Sequence, residues 1–219
     1  MSSPQALAVV ERFRAEVVGE PEAVAARLDS YIALLRRWQP AQNLVSRETL
    51  ADVWTRHVSD SLQVLRLLTP RDQTFVDLGS GAGFPALPLA IARAGHPGTR
   101  FLLVESNGRK AAFLRTVARE IELPVTVLAL RAEDLDSRET PVPDVITSRA
   151  LAPLPLLCGM ADRFAGETSR AIFHKGREYD EELRAAEASF SFDLRVVPSD
   201  TSPEGVLLEL RNLRAKSKA

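Results

Sequence analysis

The amino-acid sequence predicts an α/β protein in which a mostly parallel sheet, flanked by helices, follows an N-terminal helical segment. The first 68 or so of the 219 residues place apolar side chains at helical spacing. From residue 74 onwards, predicted strands alternate with predicted helices, which indicates parallel strands joined by helical crossovers. The chain closes on two strands with no full helix between them, which indicates an antiparallel strand at the sheet edge. We therefore predict a helical cap over residues 1–70, packed on a sheet domain over residues 71–219.

The N-terminal helices follow from the spacing of apolar side chains. A first helix is predicted over Leu7–Val17. A second is predicted over Pro21–Pro40, because one proline suits the first turn of a helix and the other should end it. Ser46 is a candidate N-cap, with Thr49 three positions later. A further helix is predicted over Val53–Leu68.

The sheet domain is predicted to contain five strands with intervening helices and a closing hairpin. Each predicted strand is a short apolar run, and each predicted helix is a longer segment with apolar residues three or four positions apart. The predicted strands are Phe75–Leu78, Arg100–Ser106, Val125–Leu130, Asp144–Leu151, Arg170–Gly176, Phe192–Val197 and Gly205–Asn212. The predicted helices are Pro85–Ala94, Arg109–Glu120, Leu154–Phe164 and Glu178–Ala188.

Composition and charge exclude several classes of protein. No stretch approaches the roughly 20 apolar residues that span a membrane, and the N-terminal segment is charged where a secretion signal would be apolar. Cys158 is the single cysteine, which excludes an internal disulfide and a cysteine-based zinc cluster. The net charge of −1 gives no overall attraction to nucleic acid, so RNA binding would need a local patch. We expect a cytoplasmic, monomeric protein without metal, membrane segment or disulfide partner.

A glycine-rich loop is the strongest local signal. A short apolar strand reaches Asp77 and breaks into Gly79, Gly81 and Gly83, after which a helical pattern resumes beyond Phe84. Glycine is needed where the backbone turns sharply or approaches a ligand without a Cβ in the way. Such loops at the carboxyl ends of parallel strands bind nucleotides.

Two cofactors compete for this loop. The spacing Gly81-x-Gly83-x-x-Ala86 satisfies the dinucleotide pattern, with Glu105 ending the second strand about 20 residues on. The longer pattern Asp-x-Gly-x-Gly-x-Gly is typical of S-adenosylmethionine methyltransferases. An acid such as Glu105 can accept hydrogen bonds from the ribose hydroxyls of either cofactor. The acidic segment Arg131–Asp134 after the third strand favours the methyltransferase, because the adenine of that cofactor normally lies there.

Several ordered motifs give the sequence a specific resemblance. They are Trp38 with Asn43-Leu44, Arg56-His57-x-x-Asp60-Ser61-Leu62, the loop DLGSGAGFPALPLAI, Val104-Glu105-Ser106, Arg109-Lys110-x-x-Phe113-Leu114, Arg131-Ala132-Glu133, Ser148-Arg149-Ala150 before Pro153-Leu154, and Lys175-Gly176. Over roughly residues 30–210 the chain resembles the RsmG family, formerly called GidB. These bacterial enzymes methylate N7 of one guanine in 16S ribosomal RNA. Ala86 and Gln39 depart from the residues that are common in the family.

The resemblance implies a class I SAM-methyltransferase fold, which is Rossmann-like with a mostly parallel sheet, an antiparallel edge strand and an N-terminal helical cap. It also implies S-adenosylmethionine as cofactor and 16S rRNA, the 30S subunit or an assembly intermediate as partner. The residues that it places at the cofactor are Gly79, Phe84, Ala132, Glu133 and Arg149. The loop pattern adds Asp77, Gly81, Gly83 and Glu105.

The expected chemistry leaves the catalytic residues unassigned. Guanine N7 carries an in-plane lone pair, so methyl transfer needs alignment of the reactants and no general base. The fourth strand ends in Ser148-Arg149 and lacks the Asn-Pro-Pro-aromatic group typical of enzymes that methylate exocyclic amines. Methylation at pyrimidine C5 would need a cysteine nucleophile, and Cys158 lies in an apolar run typical of a core thiol. These absences favour a ring nitrogen or an oxygen as acceptor.

Several assignments stay open at this point. Arg149 either holds a neighbouring carboxylate or positions the cofactor or target base, and the resemblance favours the second role. His57 and Asp60 are expected to join the cap to the sheet domain by a hydrogen bond. The candidate phosphate-binding cations are Arg109, Lys110, Lys175, Arg177 and Arg211, several of which follow strand ends on one rim. The alternative functions are an NAD-dependent oxidoreductase and a non-catalytic RNA-binding ribosome assembly factor.

Overall fold

The computed structural model describes residues 2–136, 138 and 140–216. Its strands are β1 (Thr74–Leu78), β2 (Arg100–Val104), β3 (Val125–Leu128), β4 (Val145–Arg149), β5 (Arg170–Lys175), β6 (Phe190–Pro198) and β7 (Val206–Ala215). Its α-helices are α1 (Pro4–Glu11), α2 (Pro21–Gln42), α3 (Arg47–Ala51), α4 (Asp60–Leu62), α5 (Ala86–Ala92), α6 (Gly108–Glu120), α7 (Leu154–Asp162) and α8 (Tyr179–Glu187). A π-helix spans Trp54–Ser59, and 3-10 turns span Gln63–Leu67 and Ala132–Asp134.

The strands form one sheet in the order β3-β2-β1-β4-β5-β7-β6. The first five strands pair in parallel, whereas β7 is antiparallel to both β5 and β6. This arrangement confirms the predicted mostly parallel sheet with a hairpin at its edge. Because only a short loop joins β6 to β7, the two must pair as an antiparallel hairpin, and β7 lies between β5 and the outermost strand, β6.

The register brings the carboxyl ends of three central strands together. Leu78 at the end of β1 pairs with Val104 of β2 on one side and with Ser148 of β4 on the other. The segments that follow these strands therefore share one edge of the sheet, which places the glycine loop beside Glu105 and Arg149. All five residues of β1 are buried, as expected for a central strand covered by helices on both faces.

The N-terminal helices pack directly on one face of the sheet. Tyr31 of α2 is fully buried, and its ring contacts Phe84 of the glycine loop and Phe113 of α6 at centroid distances of 5.3 and 6.5 Å. The Tyr31 hydroxyl donates to the Ala82 carbonyl at 2.7 Å. Apolar residues of the helical segment belong to the same core cluster as α5 and α6. The division into a cap over residues 1–70 and a domain over residues 71–219 stays a prediction.

Three helical predictions differ from the structure. The first helix, predicted over Leu7–Val17, spans Pro4–Glu11 and is followed by turns. Pro40 does not end α2, which continues to Gln42. The helix ends instead where Asn43 adopts a left-handed φ of 44° and the Gln39 side chain bonds both the amide and the carbonyl of Val45. The predicted helix over Val53–Leu68 is divided into the π-helix, α4 and a 3-10 turn. The Ser46 cap is confirmed, since its hydroxyl accepts from the Thr49 amide at 3.1 Å.

A buried ion cluster ties the amino ends of the strands to the helical segment. Arg170 at the start of β5 is 6% exposed and bonds both Asp72 and the Leu67 carbonyl ahead of β1. It also reaches Glu209 of β7 at 3.1 Å. Arg211 bonds the same glutamate at 2.7 Å. This cluster is structural, because it lies at the end of the sheet opposite the glycine loop.

Candidate functional site

The glycine loop is shaped by three residues with left-handed backbone conformations. The φ angles of Gly79, Gly81 and Gly83 are 67°, 56° and 99°. A Cβ built on Gly79 would lie 2.6 Å from Cδ1 of Leu151, and one on Gly83 would lie 2.3 Å from Cδ1 of Leu87. At Gly81 the nearest atom would be 3.8 Å away, so only its backbone angle requires glycine.

Glu105 fixes the loop against the second strand. One of its carboxylate oxygens accepts from the Gly81 amide at 2.8 Å, and the other accepts from the Asn107 amide at 2.7 Å. The residue is 7% exposed. Each carboxylate oxygen has a second lone pair, so the group can still accept hydrogen bonds from a ligand.

Asp77 lies beneath the loop and is almost completely buried. Its Oδ1 accepts from the Thr147 hydroxyl at 2.6 Å, whereas its Oδ2 is buried without a partner among the described residues. Burial raises the pKa of Asp77 to about 7, although the hydroxyls of Ser80 and Thr147 oppose the shift. A buried carboxyl with one unbonded oxygen can accept a hydrogen bond from a ligand or pair with a cationic group of a ligand.

The raised pKa of Asp77 predicts a particular dependence of stability on pH. The folded state keeps this proton up to pH of about 7, whereas the unfolded chain loses it near pH 4, as a free aspartate does (about 3.9). Between these values the folded state binds more protons, so this group makes the free energy of unfolding fall as pH rises. His57 acts in the opposite direction, because burial and Arg149 lower its pKa from 6.5 to about 4.

The Asp77→Asn variant separates the contribution of Asp77 to the pH dependence of stability from the opposite contribution of His57. The free energy of unfolding of the variant, relative to wild type, should increase between about pH 4 and 7, by at most about 1.4 kcal/mol per pH unit, and level off above that range. Urea denaturation at a series of pH values measures the difference. A difference that does not change with pH would show that Asp77 titrates normally.

Arg149 joins the π-helix to the end of β4. Its guanidinium donates to the Asp60 carboxylate at 3.1 Å, to the Arg56 carbonyl at 3.2 Å and to His57 Nδ1 at 2.8 Å. It also lies 5.0 Å from the centre of the Phe84 ring, on which the His57 ring stacks at 4.8 Å. Because a guanidinium is only a donor, His57 must be neutral and must carry its proton on Nε2.

Asp60 is the central acceptor of this cluster. Burial alone would raise its pKa, but His174, the Thr201 hydroxyl and Arg149 outweigh burial and hold the pKa below its usual value. The Thr201 bond measures 2.6 Å and the His174 ring donates to the Asp60 backbone carbonyl at 3.0 Å. Arg149 therefore has the scaffolding contacts that one of its two predicted roles required. The expected link to the sheet domain is made from His57 by Arg149 and from Asp60 by Arg149, His174 and Thr201.

Two cavities meet at this cluster. The smaller, of about 370 Å³, is bordered by the glycine loop, Glu105, Lys110 and the segment after α2. The larger, of about 620 Å³, lies beyond the ends of β4 and β5 and is bordered by the loop between β6 and β7. Four residues line both cavities: His57, Arg149, Ala150 and Leu151. The cavities are therefore neighbours across one shared wall.

The structure gathers most of the predicted cofactor residues around the smaller cavity. Its lining includes Gly79, Gly81, Phe84, Glu105 and Arg149. Four others are not in the lining: Asp77 lies below the loop, Gly83 faces the core, and Ala132 and Glu133 follow β3 on the far side of β2. The roles of these residues stay predictions.

The five predicted phosphate-binding cations differ in their location and in their ion pairs. Lys110 lines the smaller cavity, and Arg109 is exposed beside it on the first turn of α6. Lys175 is held by Glu182 at 2.5 Å and by the Ala152 carbonyl at 2.8 Å, and Arg177 pairs with Glu204. Arg211 pairs with Arg170 in the β5–β7 register, at the opposite end of the sheet. The predicted common rim therefore does not include Arg211.

Sequence reasoning gave no role to several residues that border the larger cavity, among them Arg56 and Leu151. Arg56 is exposed there and has no acidic partner among the described residues, although it was part of a recognised motif. Leu151 is 38% exposed in the shared wall. Its only sequence signal was its place as the last residue of the predicted fourth strand, which in the structure ends at Arg149.

Other kinds of site are absent from the described part of the chain. Within residues 2–136, 138 and 140–216, no helix combines the length and apolar character needed to cross a membrane. The same residues contain no cluster of histidine, cysteine and acidic side chains arranged to hold a metal ion. The Cys158 thiol is buried, and burial raises its pKa to about 12, which disfavours the thiolate form that a nucleophile needs.

Comparisons of sequence give a consistent family. The family model described as rRNA small subunit methyltransferase G, GidB, matches residues 24–203. A protein named ribosomal RNA small subunit methyltransferase G from Rhodospirillum centenum is 49% identical over 187 residues, which are 85% of this chain and 83% of that protein. A protein of the same name from Cereibacter sphaeroides is 43% identical over 188 residues, which are 85% of this chain and 90% of that protein.

Solved structures resemble the fold at low sequence identity. A TehB-like SAM-dependent methyltransferase from Corynebacterium glutamicum aligns with a TM-score of 0.57 and 15% identity, over 84% of this chain and 98% of that one. A chain of a fibrillarin/Nop5p complex aligns with a TM-score of 0.53 and 16% identity, over 66% of this chain and 74% of that one. These similarities confirm the predicted class I, Rossmann-like fold.

Proposed function

This chain belongs to the rRNA small subunit methyltransferase G family, GidB, and on that premise we propose that it methylates N7 of one guanine in 16S ribosomal RNA. The methyl donor is S-adenosylmethionine. The substrate is the RNA itself, the 30S subunit or an assembly intermediate. A monomeric state and a cytoplasmic location, both expected from the sequence, are part of the proposal.

The observation that carries the proposal is the shared wall between the two cavities. A transferase must hold donor and acceptor side by side with the reacting atoms aligned. Here a cavity built on a glycine loop adjoins a larger cavity through His57, Arg149, Ala150 and Leu151. We assign the smaller cavity to the cofactor and the larger one to the target nucleotide.

The residues around the smaller cavity fit S-adenosylmethionine. The Cβ position of Gly79 is occupied by the Leu151 side chain, whereas a Cβ on Gly81 would have no atom nearer than 3.8 Å, so the backbone is open to close approach by a ligand at Gly81. Glu105 has lone pairs for ribose hydroxyls, and the free oxygen of Asp77 lies in a buried position near the loop. In the proposal, Ala132 and Glu133 contact the adenine, and Gly83 keeps the loop turned towards the core.

The chain's part in the reaction is to orient the reactants and exclude water. When bound, the cofactor supplies an electrophilic methyl group on sulfonium sulfur, and guanine N7 supplies the electron pair. No proton leaves the nucleophile, so the neutral His57 is not required as a base. Arg149 acts as a positioning residue, because its bonds to Asp60 and His57 fix the wall between the two ligands.

Neither alternative function gains support from the comparisons. An NAD-dependent oxidoreductase would bind NADH at the glycine loop, and a non-catalytic assembly factor would bind RNA without turnover. Calorimetry with S-adenosylhomocysteine and with NADH separates the two cofactors. Binding of NADH alone would favour the oxidoreductase.

Methyl transfer from labelled S-adenosylmethionine tests the proposal directly. Undermodified 16S rRNA, a partially assembled particle and the 30S subunit serve as substrates, and chain cleavage at N7-methylguanine locates the product. We expect label in one guanine of at least one substrate. Absence of label in all three, with S-adenosylhomocysteine bound, would leave the non-catalytic factor as the better account.

The cations predict how RNA binding responds to salt. We propose that the phosphate contacts lie among Arg109, Lys110, Lys175 and Arg177, and that Arg109 and Lys110, whose side chains have no acidic partner among the described residues, contribute most. Lys110→Gln should weaken RNA binding severalfold and reduce the slope of log affinity against log salt by about 0.7–1. Arg211→Gln serves as the matched control, since it lies at the other end of the sheet. Equal slopes for the two variants would contradict this assignment.

A further inference from the structure

Leu151 occupies an unusual place for a large apolar side chain. It is 38% exposed and lines both cavities, directly beyond the end of β4. A Cβ built on Gly79 would meet Cδ1, Cγ and Cβ of Leu151 at 2.6, 2.9 and 3.0 Å. The isobutyl group therefore rests against the glycine loop on one side and leaves its other side open.

The backbone around Leu151 holds the side chain in this place. Ala150 has a φ of 57°, in the left-handed region that residues with a Cβ seldom adopt. On one side of it, Arg149 is anchored by three hydrogen bonds to the helical segment. On the other, the Leu154 amide donates to Glu182 at 2.5 Å. A strained backbone between two anchors indicates that the position of Leu151 is functional.

The surroundings of the open side of Leu151 define what can cover it. The larger cavity combines this apolar surface with the hydroxyls of Ser199, Thr201 and Ser202 and with Arg56, which has no acidic partner within the described part of the chain. A ligand with a flat apolar face and hydrogen-bonding edges satisfies both kinds of lining. Nucleobases have this form, since every base has a π-face that packs on an apolar surface while its edges remain polar.

We propose that Leu151 is the surface on which the flat face of the target guanine packs, so that N7 is held towards the cofactor. The inference rests on the proposed function and adds a residue that contacts the substrate. The side chain reaches both cavities, so one contact orients the base relative to the donor. Loss of that contact should therefore affect RNA turnover and leave cofactor binding nearly unchanged.

Three variants test the role in turnover. Leu151→Ala should lower kcat/KM for the RNA substrate at least fivefold, while its Kd for S-adenosylhomocysteine changes less than threefold. Leu151→Met should recover most of the activity, because methionine keeps the apolar volume. Leu156→Ala is the matched control, since Leu156 is 58% exposed on α7 and lines neither cavity; its activity should equal that of wild type.

A direct contact is tested with GMP as the probe. In protein carrying labelled leucine methyl groups and saturated with S-adenosylhomocysteine, added GMP should give a nuclear Overhauser effect between its H8 and a Leu151 methyl. The resonance is assigned by its loss in Leu151→Ala, and the Leu156 methyl groups should show no contact.

The outcomes separate this inference from the proposed function. If the wild-type enzyme methylates RNA and Leu151→Ala is equally active, the role of Leu151 is overturned and the proposed function stands. The same holds if Leu151→Ala loses only affinity for S-adenosylhomocysteine. Wild-type enzyme that methylates no substrate overturns the proposed function. Methylation combined with the expected losses and the GMP contact supports both.

Discussion

Gly79→Val should leave no measurable binding of S-adenosylhomocysteine. The φ of Gly79 is 67°, which a β-branched residue can scarcely adopt, and the new Cβ would fall 2.6 Å from Leu151. Leu151 cannot move away easily, because Arg149 anchors the segment before it. Calorimetry should show at least a hundredfold loss of affinity, while circular dichroism shows that the sheet still folds.

A pair of alanine variants isolates the cause of that loss. Gly79→Ala and Gly81→Ala make the same chemical change at two positive φ angles and share a strain of about 1–2 kcal/mol. Only the first creates a collision, since a Cβ at Gly81 has nothing nearer than 3.8 Å. Gly79→Ala should therefore bind the ligand at least tenfold more weakly than Gly81→Ala. Similar affinities of the two variants would show that the collision with Leu151 does not weaken ligand binding.

Arg149→Met should be the most destabilising change in the wall between the cavities. It removes the partner of the Asp60 carboxylate and of the Arg56 carbonyl, where the arginine side chain is 17% exposed. Breaking such a pair costs about 3 kcal/mol. For a chain of this size the melting temperature should fall by roughly 6–12 °C. Arg109→Met, an exposed site, provides the control for loss of a charge.

A double variant distinguishes the two roles predicted for Arg149. Asp60→Asn added to Arg149→Met removes the stranded carboxylate and should recover part of the stability. If Arg149 also contacts the cofactor, affinity for S-adenosylhomocysteine stays reduced in the stabilised double variant. If affinity returns with stability, the arginine acts only through the scaffold.

Local patterns made much of the fold predictable. The sequence around Asp77 and Gly79 encodes strand, turn and helix within a few residues, and the strands of the sheet domain follow from short apolar runs. Their ends were less well predicted, since β2, β3 and β4 each end two residues before the predicted boundary. The family motifs extended this to the cofactor. The end of α2 was mispredicted at Pro40, because the stop is made by Asn43 and by a side-chain clamp from Gln39 that no local rule contains.

Features that depend on tertiary contacts were beyond sequence reasoning. The π-helix requires an inserted residue in the turn, which the apolar spacing of Val53–Leu68 does not reveal. The position of Leu151 in a shared wall depends on how the segment after β4 folds back on Gly79. The separation of Arg211 from the other cations depends on which strand of the predicted hairpin pairs with β5. It is β7, antiparallel to β5, and this pairing places Arg211 at the far end of the sheet.

The hydrogen bond from Tyr31 to Ala82 has a consequence for unfolding. Both tryptophans, Trp38 and Trp54, lie in the N-terminal helical segment, so intrinsic fluorescence reports on that segment alone. Because Tyr31 shares its core with the glycine loop, loss of the helices should expose the loop at once. Fluorescence and far-ultraviolet circular dichroism should therefore follow a single cooperative transition in urea, and a cofactor analogue should raise the midpoint of both signals equally.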